Sequence, residues 1–74
     1  MKQVSEMPTS GQFVAVCQNK QGLMWSSTYK WIDGKLSEYT QPDEYAPMRF
    51  TECDDAEYEK SFLTNLDALF FIAD

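Results

Sequence analysis

The chain has 74 residues, 12 Asp and Glu against 6 Lys and Arg, a net charge of −6, and no histidine. That length allows a single domain, residues 1–74, with a thin core, since a domain near this size buries only about 60% of the surface its unfolded chain exposes. Hydrophobic residues at 43% and aromatics at 15% exclude a disordered tail. The acidic balance argues against direct nucleic-acid binding, which needs a surplus of Lys and Arg to neutralise phosphates.

The opening Met1-Lys2-Gln3-Val4-Ser5-Glu6-Met7-Pro8 has no apolar stretch, so it does not read as a signal peptide. Residues 1–11 form a lead-in that ends in the turn Pro8-Thr9-Ser10-Gly11. Phe13-Val14-Ala15-Val16-Cys17 reads as a buried strand, with Cys17 a small core residue. Asn19-Lys20-Gln21-Gly22 supplies a turn. Leu23 to Ile32 alternates, placing Trp25, Tyr29 and Trp31 on one face and Met24, Ser26, Thr28 and Lys30 on the other.

Asp33-Gly34 between strand formers is the signature of a two-residue type I′ hairpin. Counting outward sets Ile32 against Lys35, Trp31 against Leu36, Lys30 against Ser37, Tyr29 against Glu38 and Thr28 against Tyr39. The face of Trp25, Trp31 and Leu36 is the expected core side, and a slip of one residue would invert it. Gln41 to Pro47 forms a loop, and Met48 to Glu52 a short returning strand. Asp54 is the expected helix N-cap, with Glu57 as its capping-box partner. Tyr58, Phe62, Leu63, Leu66, Leu69, Phe70 and Ala73 fall on one helical stripe. Ala68 to Ile72 also reads as a buried strand, and a helix over about 55–65 followed by a strand at 68–72 is preferred over one continuous helix. The expected fold is α+β, a small antiparallel sheet of three to five strands with one helix in the second half.

The charge is divided unevenly. Residues 1–37 hold Glu6 and Asp33 against four lysines, a net +2, and residues 38–74 hold ten acids against Arg49 and Lys60, a net −8. Asp43, Glu44, Glu52, Asp54, Asp55, Glu57 and Glu59 are expected to form a negative surface, with one of Tyr29, Tyr39 or Tyr45 exposed beside it as an aromatic anchor, Tyr45 being the one assigned to the contact set. Such a field steers a basic partner and weakens as salt rises. Asp55 and Glu59, four apart on a helix, sit roughly 5–6 Å apart at Cβ, on the scale of successive phosphates. Against this stand the stabilising effect of acids at a helix N-terminus and their use for solubility.

Other chemistry finds little support. The acids lack the ligand spacing of a calcium loop, so no metal is expected. The three glycines are isolated in turns, so there is no phosphate-binding loop, and no cofactor is expected. Paired-carboxylate catalysis needs a cleft, and no catalytic residues are assigned. Cys53 lies among acids that raise its thiol pKa and make it a poor nucleophile. The longest apolar run, Ala68 to Ala73, is too short to cross a bilayer, so no membrane partner is expected. Two free thiols fit a cytoplasmic protein.

Met7-Pro8-Thr9-Ser10-Gly11-Gln12-Phe13-Val14-Ala15-Val16 resembles the "(L/M)-P-x-x-G-x-x-V-x-V" opening of short phage and prophage proteins of unknown function. A Trp-containing strand follows there, as Met24 to Trp31 does here. The resemblance covers residues 4–34. The sequence departs from the family in lacking the aromatic before Pro-x-x-Gly and the Pro-rich ending, and its acidic second half is its own. The resemblance implies a small β-rich phage accessory protein and carries over no functional residues. Together these readings predict a non-enzymatic acidic inhibitor or modulator whose carboxylates stand in for nucleic-acid phosphates on a host protein with a basic surface: a nuclease, a restriction or nucleic-acid-guided effector, or a replication or transcription protein. The alternative is a self-associating scaffold, a homodimer included, whose acids serve only solubility.

Overall fold

The computed structural model describes residues 1–74. In chain order the elements are β1 (Lys2–Val4), β2 (Gln12–Gln18), β3 (Met24–Ile32), β4 (Lys35–Thr40), β5 (Arg49–Glu52), α1 (Ala56–Asn65) and β6 (Leu69–Ile72). The strands form one antiparallel sheet in the order β1-β6-β2-β3-β4-β5. Three to five strands in an α+β domain is therefore the wrong expectation: there are six, and the chain is 45% strand and 14% helix. The extra strand is β1, which lies within the expected lead-in. Its three residues have no local partner, and they are strand only because β6 lines up beside them from the far end of the chain, with Lys2 against Ile72, Gln3 against Phe71 and Val4 against Phe70.

The hairpin follows from its turn. Asp33 and Gly34 both take positive φ, 52° and 78°, as a type I′ turn requires, and four of the counted pairs appear, Ile32–Lys35, Trp31–Leu36, Lys30–Ser37 and Tyr29–Glu38. With that register fixed, Trp25, Tyr29, Trp31 and Leu36 point to the face that α1 covers. Tyr39 falls on the other face, where its ring meets that of Phe50 at 5.1 Å. The Trp31 indole donates to the Pro8 carbonyl at 2.9 Å, tying the loop before β2 to the end of β3.

Both β5 and β6 run antiparallel to strands that themselves share a direction. They are therefore parallel to each other, three strands apart, and α1 makes the crossover over one face of the sheet. Asp55, not Asp54, is the N-cap: its side chain accepts from the backbone N–H groups of Glu57 and Tyr58. The inward seam of the helix is Leu63, which is buried, with Ala56, Glu59 and the C-cap Leu66 half-buried beside it. Tyr58 and Phe62, expected on the apolar stripe, stand 66% and 43% exposed. The stripe is therefore rotated away from the aromatics. Leu63 enters a core of Phe13, Ala15, Cys17, Tyr29, Leu36 and Phe70. Phe13 stacks on Tyr29 at 5.3 Å and meets the edge of Phe70 at 6.1 Å.

Candidate protein-interaction surface

Two groups of acids flank the edge strand β5. The first lies in the β4–β5 loop. There the Gln41 side-chain amide donates to the carbonyls of Glu44 and Ala46 at 3.2 and 2.9 Å, and the Asp43 carboxylate accepts from the Tyr45 N–H at 2.9 Å. The Ala46 N–H closes the turn onto the Asp43 carbonyl at 3.2 Å. The loop thus holds its shape through its own bonds while Asp43 and Glu44 face solvent, and Tyr45, 90% exposed, projects from it. Of the three tyrosines that sequence reasoning considers as an anchor, Tyr45 is by far the most exposed; Tyr29 is 2% exposed and Tyr39 faces the opposite side of the sheet.

The second group sits at the other end of β5. The Glu52 carboxylate lies 3.8 Å from the Lys35 ammonium, both exposed. Asp54, Asp55 and Glu57 follow, all exposed. Asp55 is occupied as a cap, accepting at 3.1 and 3.2 Å, and the helix N-terminus favours the whole group through its partial positive charge. Strand β5, with Arg49 at its start, lies between the loop acids and the acids that follow it.

Glu59 does not join either group. It is half-buried beneath α1, and the Tyr29 hydroxyl donates to it at 3.2 Å. The Asp55–Glu59 pair is consequently no mimic of adjacent phosphates: one carboxylate caps the helix and the other faces the sheet. Beneath the helix Glu59 shares its surroundings with Glu38 and Cys53. Burial pushes the Glu38 carboxyl above the usual range, the Ser27 hydroxyl draws it partly back, and the Glu59 charge adds to the rise. Cys53 is pushed up to about 11, by burial first and then by Glu59, Glu38, Asp54 and Glu52. The Tyr29 hydroxyl is raised by burial and by both glutamates. Thr51 Oγ1, on the strand opposite Glu38, is buried without a hydrogen-bond partner. Sequence reasoning missed this polar layer, although its signal was present: the hairpin count sets Glu38 against Tyr29, and Tyr29 faces the core.

Elsewhere, the largest groove, about 500 Å³, runs between the β1–β2 loop and α1, and Glu6, Met7, Lys60 and Thr64 are among the residues that line it. No group of three or more His, Cys, Asp or Glu side chains is placed to hold a metal ion, and no helix is long and apolar enough to cross a membrane. In comparisons with known proteins, no family model, no curated protein and no solved structure matches this chain.

Proposed function

We propose that this protein is a small acidic, non-enzymatic inhibitor or modulator, phage-encoded and acting in the host cytoplasm, that binds a nucleic-acid-processing or defence protein through a basic surface of that partner. The observation that carries this reading is the grouping of exposed carboxylates at both ends of edge strand β5, with Tyr45 held out beside one group on a loop fixed by its own hydrogen bonds. Such a loop loses little freedom on binding, and tyrosine is among the residue types enriched at the centres of interfaces. The carboxylates supply orientation and a fast, salt-sensitive encounter. The contact set is Asp43, Glu44, Tyr45, Glu52, Asp54 and Glu57, with Asp55 adding its charge while it caps the helix. The phage origin rests on the opening motif.

The test is capture from a bacterial lysate at low and high salt, using the wild-type chain and a variant carrying Asp43→Lys, Glu44→Lys, Asp54→Lys and Glu57→Lys. This set spares Asp55 and Glu59, whose side chains hold the fold. The wild type should retain a nucleic-acid-binding protein that is released by salt and displaced by added DNA, and the variant should retain none. Equal capture by a folded variant would remove the electrostatic mechanism. The wild type itself should give no gel shift with oligonucleotides.

A further inference from the structure

The face of the sheet away from α1 carries nothing. The register places Val14 beside Phe71 and Val16 beside Leu69, and continues the band to Thr28 and Ser26 on β3. Leu69 is 47% exposed and Met24, on the same face, 62%. Toward the other edge, Tyr39 and Phe50 pair, with the Lys30 ammonium over the Phe50 ring at 5.7 Å. By the alternation of the strands, the charged side chains on this face are Lys30, Lys35 and Glu52, the last two paired with each other. We propose that this open face is the contact between two copies of the chain, which pack sheet against sheet.

Charge leaves this face open to a second copy. Each copy carries −6, yet the one acid on this face is Glu52, which is paired with Lys35. The open face lets two such molecules meet with only this neutralised carboxylate on each side, and it leaves Asp43, Glu44, Asp54, Asp55 and Glu57 turned to solvent on both copies. Size agrees as well. Six strands spaced about 4.8 Å apart and about 20 Å long present roughly 500 Å² in projection, or about 1,000 Å² over both partners. That is the lower end for a specific interface, so the dimer is reversible rather than obligate. The two sheets should stack about 10 Å apart with strands crossing near −30°. Each copy by itself fully buries only 8 of its 74 residues, and the contact adds Val14, Val16, Leu69 and Phe71 to what water does not reach.

The inference shares only Glu52 with the acidic-surface reading, and salt separates the two. Screening the like charges should tighten the dimer, whereas it should loosen the complex with a basic partner. The experiment is sedimentation equilibrium of the full chain over a wide concentration range at low and high salt. The expected result is a monomer of 8.6 kDa passing to twice that mass in the micromolar range, earlier at high salt. Leu69→Lys, with an unchanged far-UV spectrum, should weaken the association by about tenfold or more. Filtered nuclear Overhauser spectra of mixed labelled and unlabelled wild-type protein need no variant, and should show contacts between copies at the methyls of Val14, Val16 and Leu69. A wild type that stays monomeric throughout, or a dimer whose contacts lie along β5 or β1 instead, overturns the proposal.

Discussion

Glu38 and Glu59 converge under α1, where each is partly removed from water and faces the charge of the other. Burial and the Glu59 charge raise the Glu38 carboxyl above its usual value of 4.5. An acid whose folded value lies above its unfolded one binds its proton more tightly in the native state, so this group contributes stability at low pH and loses it as pH rises through the window above 4.5. Glu38→Gln removes the charge while keeping a polar side chain. Its stability relative to wild type, from urea unfolding, should therefore improve as pH rises from 4 to 7, and the two should converge at the acid end. A constant difference across that range would mean that Glu38 ionises as freely in the fold as in the unfolded chain. Glu59 lies outside simple pattern reading for a related reason. On a helical wheel it belongs with the charged residues, and only the Tyr29 hydroxyl, contributed by β3 at 3.2 Å, gives a carboxylate reason to turn inward.

Among the elements, α1 tests how finely a cap can be read. Asp54 and Asp55 are equally plausible by residue type, and the choice is made by backbone: Asp55 takes an extended conformation, φ −144° and ψ 102°, and reaches the N–H groups of Glu57 and Tyr58. Asp55→Ala should cost about 1 kcal/mol in urea unfolding, the usual loss for an N-cap, while Asp54→Ala should stay within about 0.5 kcal/mol, as surface changes do. Equal effects would return the cap to the pair. Legibility varies among the strands for a physical reason. The β3–β4 hairpin is local, its turn allows one register, and the count outward from Asp33-Gly34 holds for four of its five pairs, the ladder ending before Thr28 and Tyr39. Sequence pattern likewise separates α1 from β6, because Phe71 and Ile72 fit no helical stripe. Strand β1 carries no such information: Lys-Gln-Val is strand only against Phe71 and its neighbours, nearly seventy residues away. For the same reason, Tyr58 and Phe62 read as core by composition and lie outside it, since the seam is set by where the crossover lays the helix on the sheet.

At the scale of the whole molecule, the extents of 30 × 29 × 24 Å set charge against screening. The Debye length is about 30 Å at 0.01 M salt and about 10 Å at 0.1 M. At the lower ionic strength every carboxylate feels every other across the domain, and at the higher only near neighbours interact. Two ion pairs oppose this repulsion, Met1 with Asp74 at 3.3 Å and Lys35 with Glu52 at 3.8 Å, and all four groups are well exposed, where such pairs contribute little. Repulsion therefore dominates, and moderate sodium chloride should stabilise the fold. In dilute solution, where association is negligible, the thermal midpoint should rise by several degrees between 0.01 and 0.2 M salt, since about 1 kcal/mol moves a domain of this size by roughly 4–8 °C. Asp54→Lys with Glu57→Lys shifts the net charge of −6 by two units at each position, leaving a third of it, and should reduce that rise. A midpoint that falls with salt would show that attractive contacts, not the crowding of acids around β5 and α1, govern the electrostatics of the fold.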